Sequence, residues 1–259
     1  GFYALLSNTT GCHNTASGYR ALYSNTTGTS QTGIGQGALC ANTTGYRNTA
    51  IGATAMRKNT TGGYNAATGT KSLYTNTTGS YNTASGMYAL LSNTTASQNT
   101  AVGACALYAN TTGDRNTAVG YQALVKNTTG CRNTGLGMYA ASCNTTGCYN
   151  TSSGYAALYY NTTACNNTAT GGQTLFCNTG SNNTGYGAFV LRNNTTAGYN
   201  TAYGACALFT NTTGSQNTAS GYLALKSNTT GQYNTATGSQ ALYANTTGSE
   251  NVAIGRVAL

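Results

Sequence analysis

The sequence predicts an all-β fold, a β-solenoid (β-roll or β-helix) of about fifteen 17-residue coils. Three observations lead there. One motif recurs along the whole chain at a nearly fixed step. The step is half the roughly 34 residues that a helix–turn–helix repeat needs. Every copy is punctuated by Gly and by an Asn-Thr-Thr-Gly type segment, and such residues mark turns between short strands while forming helix poorly.

With Asn14 as position one, the unit reads N-T-A-x-G-x-x-A-L-x-x-N-T-T-G-x-x. It returns at Asn48, Asn65, Asn82, Asn99, Asn116, Asn133, Asn150, Asn167, Asn183, Asn200, Asn217, Asn234 and Asn251, with Gln31 in place of Asn in the second copy. Each step is 17 residues except the 16 from Asn167 to Asn183, where Asn178-Thr179-Gly180 lacks one Thr. A tightened corner or another local distortion is expected there. The array runs through 1–259 as one continuous domain. It begins and ends in mid-repeat, as a window cut from a longer fibre does.

Each part of the unit follows in order. Positions two to four suit a short strand, and the fourth changes polarity freely (Ser17, Ile34, Thr68, Val102, Leu136). Position five is Gly in all fifteen copies, which asks for a positive φ or a close backbone approach. Positions three, eight and nine hold small residues and Leu, with Met56 and Ala141 the exceptions at nine, and form the inward stripe. Charges, Cys and most Tyr fall at the sixth, seventh, tenth, eleventh, sixteenth and seventeenth positions, the outward columns. Coils stacked by parallel pairing at roughly 4.8 Å make a rod about 70 Å long. One chain fills its own interior with Leu, or three chains share their Leu columns along one axis; both arrangements fit the pattern. Stacked Asn side chains can hydrogen-bond up and down as ladders.

Composition narrows the function. The formal charge is +9, from 11 Lys and Arg against 2 acids, but the basic residues are spread along the chain, so no nucleic-acid partner is expected. No run of 18 apolar residues is present to span a membrane. His13 is the single histidine, and Asp114 and Glu250 are the only acids, far apart in sequence. No acid–base pair, triad, metal cluster or cofactor site can be assembled from them, and an enzyme is not expected. Calcium-binding repeats need recurring Asp, and zinc sites need Cys-x-x-Cys pairs; neither occurs.

Three sets of residues carry candidate chemistry. Asn-Thr-Thr is an N-glycosylation acceptor. It occurs at Asn8, Asn25, Asn42, Asn59, Asn76, Asn93, Asn110, Asn127, Asn144, Asn161, Asn194, Asn211, Asn228 and Asn245. A covalent glycan on each would coat one edge of the solenoid, whereas an inward Asn ladder would exclude it. Asn150, Asn166, Asn182 and Asn193 meet the acceptor pattern outside that column. Cys12, Cys131, Cys148 and Cys165 share one column, and Cys143 and Cys177 another. A bridge such as Cys131–Cys148 is within reach in an oxidising compartment, and a tolerated small outward residue is the plainer reading. Outward tyrosines such as Tyr19, Tyr64, Tyr81, Tyr121, Tyr159 and Tyr222 can stack on sugars or on one another.

The phrases Asn48-Thr49-Ala50-Ile51-Gly52, Asn116-Thr117-Ala118-Val119-Gly120-Tyr121-Gln122-Ala123-Leu124 and Asn251-Val252-Ala253-Ile254-Gly255 resemble two kinds of repeat. One is the head repeat of trimeric autotransporter adhesins, which forms left-handed β-rolls and has a shorter period. The other is the N-T-A-x-G-Y-x-A-L repeat of phage tail-fibre-like proteins. The resemblance implies self-association into a fibre and an extracellular, cell-surface or virion-surface location. The expected function is a structural filament or fibre shaft, with a glycan coat if the Asn-Thr-Thr column faces out. An adhesin or receptor-binding fibre that engages cell-surface glycans is the alternative. An ice-binding solenoid built on ranks of Thr is the minor one.

Overall fold

A computed structural model describes residues 1–259. It contains no helix, and every regular element is a three-residue strand at positions two to four of the repeat. Two compact units divide the chain, Gly1–Arg132 and Asn133–Leu259. The first holds β1 (Thr15–Ser17), β2 (Thr32–Ile34), β3 (Thr49–Ile51), β4 (Ala66–Thr68), β5 (Thr83–Ser85), β6 (Thr100–Val102) and β7 (Thr117–Val119). The second holds β8 (Thr134–Leu136), β9 (Thr151–Ser153), β10 (Thr168–Thr170), β11 (Thr184–Tyr186), β12 (Thr201–Tyr203), β13 (Thr218–Ser220), β14 (Thr235–Thr237) and β15 (Val252–Ile254). Within each unit the strands pair in parallel and in sequence order. The fold is the expected β-solenoid, one strand per coil.

Register follows the repeat. Thr15 pairs with Thr32, Ala16 with Gly33 and Ser17 with Ile34, so each position stacks on itself one coil later. Alternation along the strand turns the third position inward and the second and fourth outward. Small side chains are needed at the third position because the interior is narrow: a Cβ on Gly33 would lie 3.3 Å from Cγ of Leu22. Ala21, Leu22, Ala38, Leu39, Ala106 and Leu107 have no exposed surface. One chain therefore buries its own Leu column, and a shared axis between three chains is not how this interior is filled. Burying each Leu contributes roughly 1.5–3 kcal/mol.

Gly at position five meets both conditions inferred for it. Gly18 has φ +134°, and a Cβ there would sit 2.5 Å from the carbonyl oxygen of Gly35. Other corners are made without glycine. Positions seven, nine and seventeen adopt left-handed backbone in ordinary residues, as in Arg20 (φ 56°), Leu22 (φ 52°) and Ser30 (φ 57°). Nothing in the residue types signals this, since Leu and Arg rarely adopt it. Bonds to neighbouring coils on both sides hold the backbone there. The Arg20 N–H donates to Phe2 O in the preceding coil (3.0 Å), and the Leu22 N–H to Ala38 O in the next (2.9 Å).

The short coil keeps its strand register, with Thr168 opposite Thr184, and takes up the missing Thr at the turn. Asn178 Nδ2 reaches Gly180 O at 2.6 Å, but its bond to Asn161 Oδ1 is stretched to 3.5 Å. The expected local distortion is confined to that corner.

Candidate functional site

The chemistry-bearing columns are the two rows of Asn. At position twelve, Asn42 Nδ2 donates both hydrogens, to Asn25 Oδ1 in the preceding coil (2.8 Å) and to Gly45 O in its own turn (3.2 Å). Asn59 repeats this with Asn42 (2.8 Å) and Gly62 (3.0 Å). At position one, Asn48 Nδ2 donates to the same Gly62 O at 2.8 Å, and Asn48 Oδ1 accepts the N–H of Asn65 at 2.9 Å. A single carbonyl at position fifteen, of Gly in most coils and of Ala96, Ala164 or Ala197 in three, thus joins the two Asn columns and closes the coil, while the side-chain oxygens tie coil to coil. Gln31 does the work of Asn in its copy, donating to Gly45 O. Asn99 Nδ2 has no partner although it is buried, while its Oδ1 still accepts the Asn116 N–H at 2.9 Å.

The Thr-Thr-Gly that follows most position-twelve Asn residues has its own function. The N–H groups of Thr26, Thr27 and Gly28 converge on the carbonyl of Thr43 one coil on, at 3.0, 3.3 and 3.2 Å. The Thr26 hydroxyl adds a fourth bond to it at 3.1 Å. Three consecutive amides around one oxygen form a nest. Thr26 is half-buried by this use and Thr27 is exposed, so the two do not form one outward Thr rank.

These bonds decide where the glycosylation candidates stand. Asn25, Asn42, Asn59, Asn76, Asn93, Asn110, Asn127, Asn144, Asn161, Asn194, Asn211 and Asn228 have no exposed surface, and Asn8 and Asn245 are half-buried. An amide that donates both its hydrogens to protein oxygens has none to exchange for a sugar. In the folded chain this column is the inward ladder, and it is incompatible with a glycan coat. Outside the column, Asn150 is buried, Asn182 and Asn193 are half-buried, and Asn166 alone is exposed.

The cysteine column also has a structural account. At position sixteen the side chain accepts the backbone N–H of the same position one coil earlier. Ser80 Oγ accepts from Gly63 (3.1 Å), Asp114 Oδ1 from Ser97 (2.6 Å) and Cys165 Sγ from Cys148 (3.1 Å). Cys here stands in for Ser. None of the nine cysteines is in a disulfide. His13, Asp114 and Glu250 are exposed.

Outward aromatics form stacks. Tyr64 and Tyr81 lie 4.9 Å apart with rings 7° from parallel, and Tyr186 and Tyr203 lie 5.2 Å apart at 3°. In the tenth column Tyr159 stacks on Phe176 at 5.3 Å, and the Arg192 guanidinium lies 5.2 Å from Phe176. No helix is long and apolar enough to cross a membrane. Comparison with protein-family models, curated proteins and solved structures returns no match.

Proposed function

We propose that this chain forms the structural shaft of an extracellular fibre. The observation that carries the reading is the pair of buried Asn columns, in which each coil offers its successor the same donors and acceptors that it received. Stability in such a stack grows by adding coils, and outward positions vary without touching the frame. The shaft surface is protein rather than sugar along the Asn-Thr-Thr column, because those amides are spent inside. Fibre assembly and surface location rest on the resemblance to fibre and adhesin repeats. Antibody–gold labelling of the native source tests this: labelled filaments on cells or virions support it, and label confined to the cytosol overturns it.

A recognition role is the second reading, favoured by the exposed stacked pair Tyr186 and Tyr203 on the strand face. Binding to a glycan array that is lost with Tyr186→Ala and Tyr203→Ala supports it. Absence of binding to glycans and to cells removes it.

A further inference from the structure

Folding gathers basic side chains that the sequence spaces apart. Arg20 and Lys71 stand at position seven, Arg57 at ten and Lys58 at eleven, in the first, third and fourth of the coils that start at Asn14. Coils stacked at roughly 4.8 Å place these neighbouring columns on one face. Tyr74 is its hub. Arg57 Nη1 donates to the Tyr74 hydroxyl at 3.2 Å, and the ammonium groups of Lys58 and Lys71 lie 5.6 and 6.0 Å from its ring centre. Lys71 also lies 5.8 Å from the Tyr88 ring, and Arg20 lies 5.3 Å from both Tyr19 and Tyr23. All four cations are exposed, and the rings of Tyr23, Tyr74 and Tyr88 are half-buried beneath them.

A notch of about 120 Å³ opens between Arg20 and Arg57, walled by Tyr19, Gln36, Cys40 and Thr54. It exists because position seven is Gly37 in this coil, where every other copy carries a side chain. A Cβ on Gly37 would meet only Thr54 Cγ2, at 3.5 Å. The first unit has one acid, Asp114, which lies further along and accepts the Ser97 N–H. The four charges are therefore held together with no carboxylate among them.

This arrangement selects a class of ligand. Guanidinium groups match oxyanions bidentately, and Arg57 uses one donor on Tyr74 and keeps the others. The notch is well below the roughly 300–1,000 Å³ of a small-molecule pocket, so it takes one anionic substituent rather than a whole ligand. The charged face continues over several coils, which suits a polymer with spaced anionic groups. The cations occupy the faces of Tyr23, Tyr74 and Tyr88, leaving those rings unavailable to stack on bases, as single-stranded nucleic acid requires. We propose that this face binds a sulfated polysaccharide, with one sulfate ester in the notch between Arg20 and Arg57. The proposal stands whether or not the chain is a fibre shaft, since the face lies within one unit of one chain.

The test measures binding of the full chain to heparin, to chemically desulfated heparin and to duplex DNA over a range of salt. A face variant (Arg20→Gln, Arg57→Gln, Lys58→Gln, Lys71→Gln) is compared with one that loses the same charge elsewhere (Arg47→Gln, Arg115→Gln, Lys126→Gln, Arg132→Gln). Equal cooperative melting shows that both fold. Heparin should bind best, and the face variant should lose about tenfold or more in affinity together with part of the salt dependence, while the other variant keeps most of its affinity. Gly37→Gln changes no charge, and Gln already adopts the left-handed backbone at this position in Gln122, Gln173 and Gln240. It should fill the notch and weaken heparin binding several-fold with the salt dependence unchanged. Equal losses in the two charge variants, desulfated heparin or duplex DNA bound as tightly as heparin, no binding of heparin, or full affinity in Gly37→Gln would each overturn the proposal.

Discussion

A single ladder Asn satisfies several buried groups at once. Asn76 Nδ2 donates to Asn59 Oδ1 (2.8 Å) and Gly79 O (2.9 Å), and its Oδ1 accepts from Asn93 Nδ2 (2.8 Å). Asn76→Ala strands Asn59 Oδ1 and one Nδ2 hydrogen of Asn93 away from water at about 1–3 kcal/mol each, while Gly79 O keeps the Asn65 Nδ2 donor (2.8 Å), so a total loss of about 2 kcal/mol or more is expected. A shift of the urea midpoint at constant m-value measures it. Asn166→Ala, at an exposed acceptor site, breaks no ladder bond and should cost only about 1 kcal/mol, from a left-handed backbone (φ 60°) that Asn adopts more readily than Ala. Gly103→Ala meets two obstacles, a φ of +127° and a Cβ 2.5 Å from Gly120 O, and should cost on the order of 2–4 kcal/mol by the same assay. Lys226 illustrates a surface pair. Its hydrogen bond to the Tyr243 hydroxyl (3.1 Å), and secondarily the charge on that tyrosine, raise its pKa above the ordinary 10.5. A raised folded-state value contributes below the unfolded pKa and is lost as pH rises through the folded one, so nothing changes near neutrality. Tyr243→Phe should return the Lys226 midpoint to the ordinary value in an NMR titration; an unmoved midpoint contradicts the pairing.

At the scale of one coil, the short turn is the natural experiment. Inserting one Thr between Thr179 and Gly180 restores the common turn. It should bring Asn178 Nδ2 and Asn161 Oδ1 from 3.5 Å to the 2.8 Å seen between Asn42 and Asn25, and raise the unfolding midpoint of the second unit. A midpoint that falls would mean the short turn is the better fit. The strand, the inward third, eighth and ninth positions, the invariant Gly and the distorted short turn were all legible, because each repeats with its neighbours in a fixed pattern. The left-handed corners were not, since Leu22 or Thr54 carries no mark of the conformation that bonds to adjacent coils impose. Thr54 (φ 55°) and Val257 (φ 57°) are the β-branched residues among them, the class least suited to this backbone. Thr54→Asn should stabilise the first unit by about 1 kcal/mol, because Asn adopts that backbone more readily. Nor was the direction of the Asn-Thr-Thr amides legible: the same three letters serve as a sugar acceptor or as a ladder and nest, and only the closure of the coil on Gly45 or Gly62 separates the two. The position-sixteen cysteines hid their purpose for a related reason, that Cys and Ser share a geometry but not a reputation.

Over the molecule, the Asn ladders, the nests and the Leu and Ala columns recur in both units, and the outward columns differ between them. Eight of the 11 basic residues lie in the first unit, where the period brings four onto one face. Spacing along the chain had suggested dispersal, because residues 13 or 37 apart are read as distant until a period near 17 folds them together. The frame is constant and the surface is free to specialise, and both the fibre-shaft and the polysaccharide readings depend on that division. Its central element is the inward ladder, and hydrogen exchange of Asn side-chain amides, followed by NMR in the full chain, tests it most directly. Ladder Nδ2 hydrogens such as those of Asn42, Asn59 and Asn76 should exchange only with opening of the coils, far more slowly than those of exposed Asn166. Exchange of all Asn side chains at the rate of Asn166 would contradict the ladder and return the Asn-Thr-Thr column to the surface.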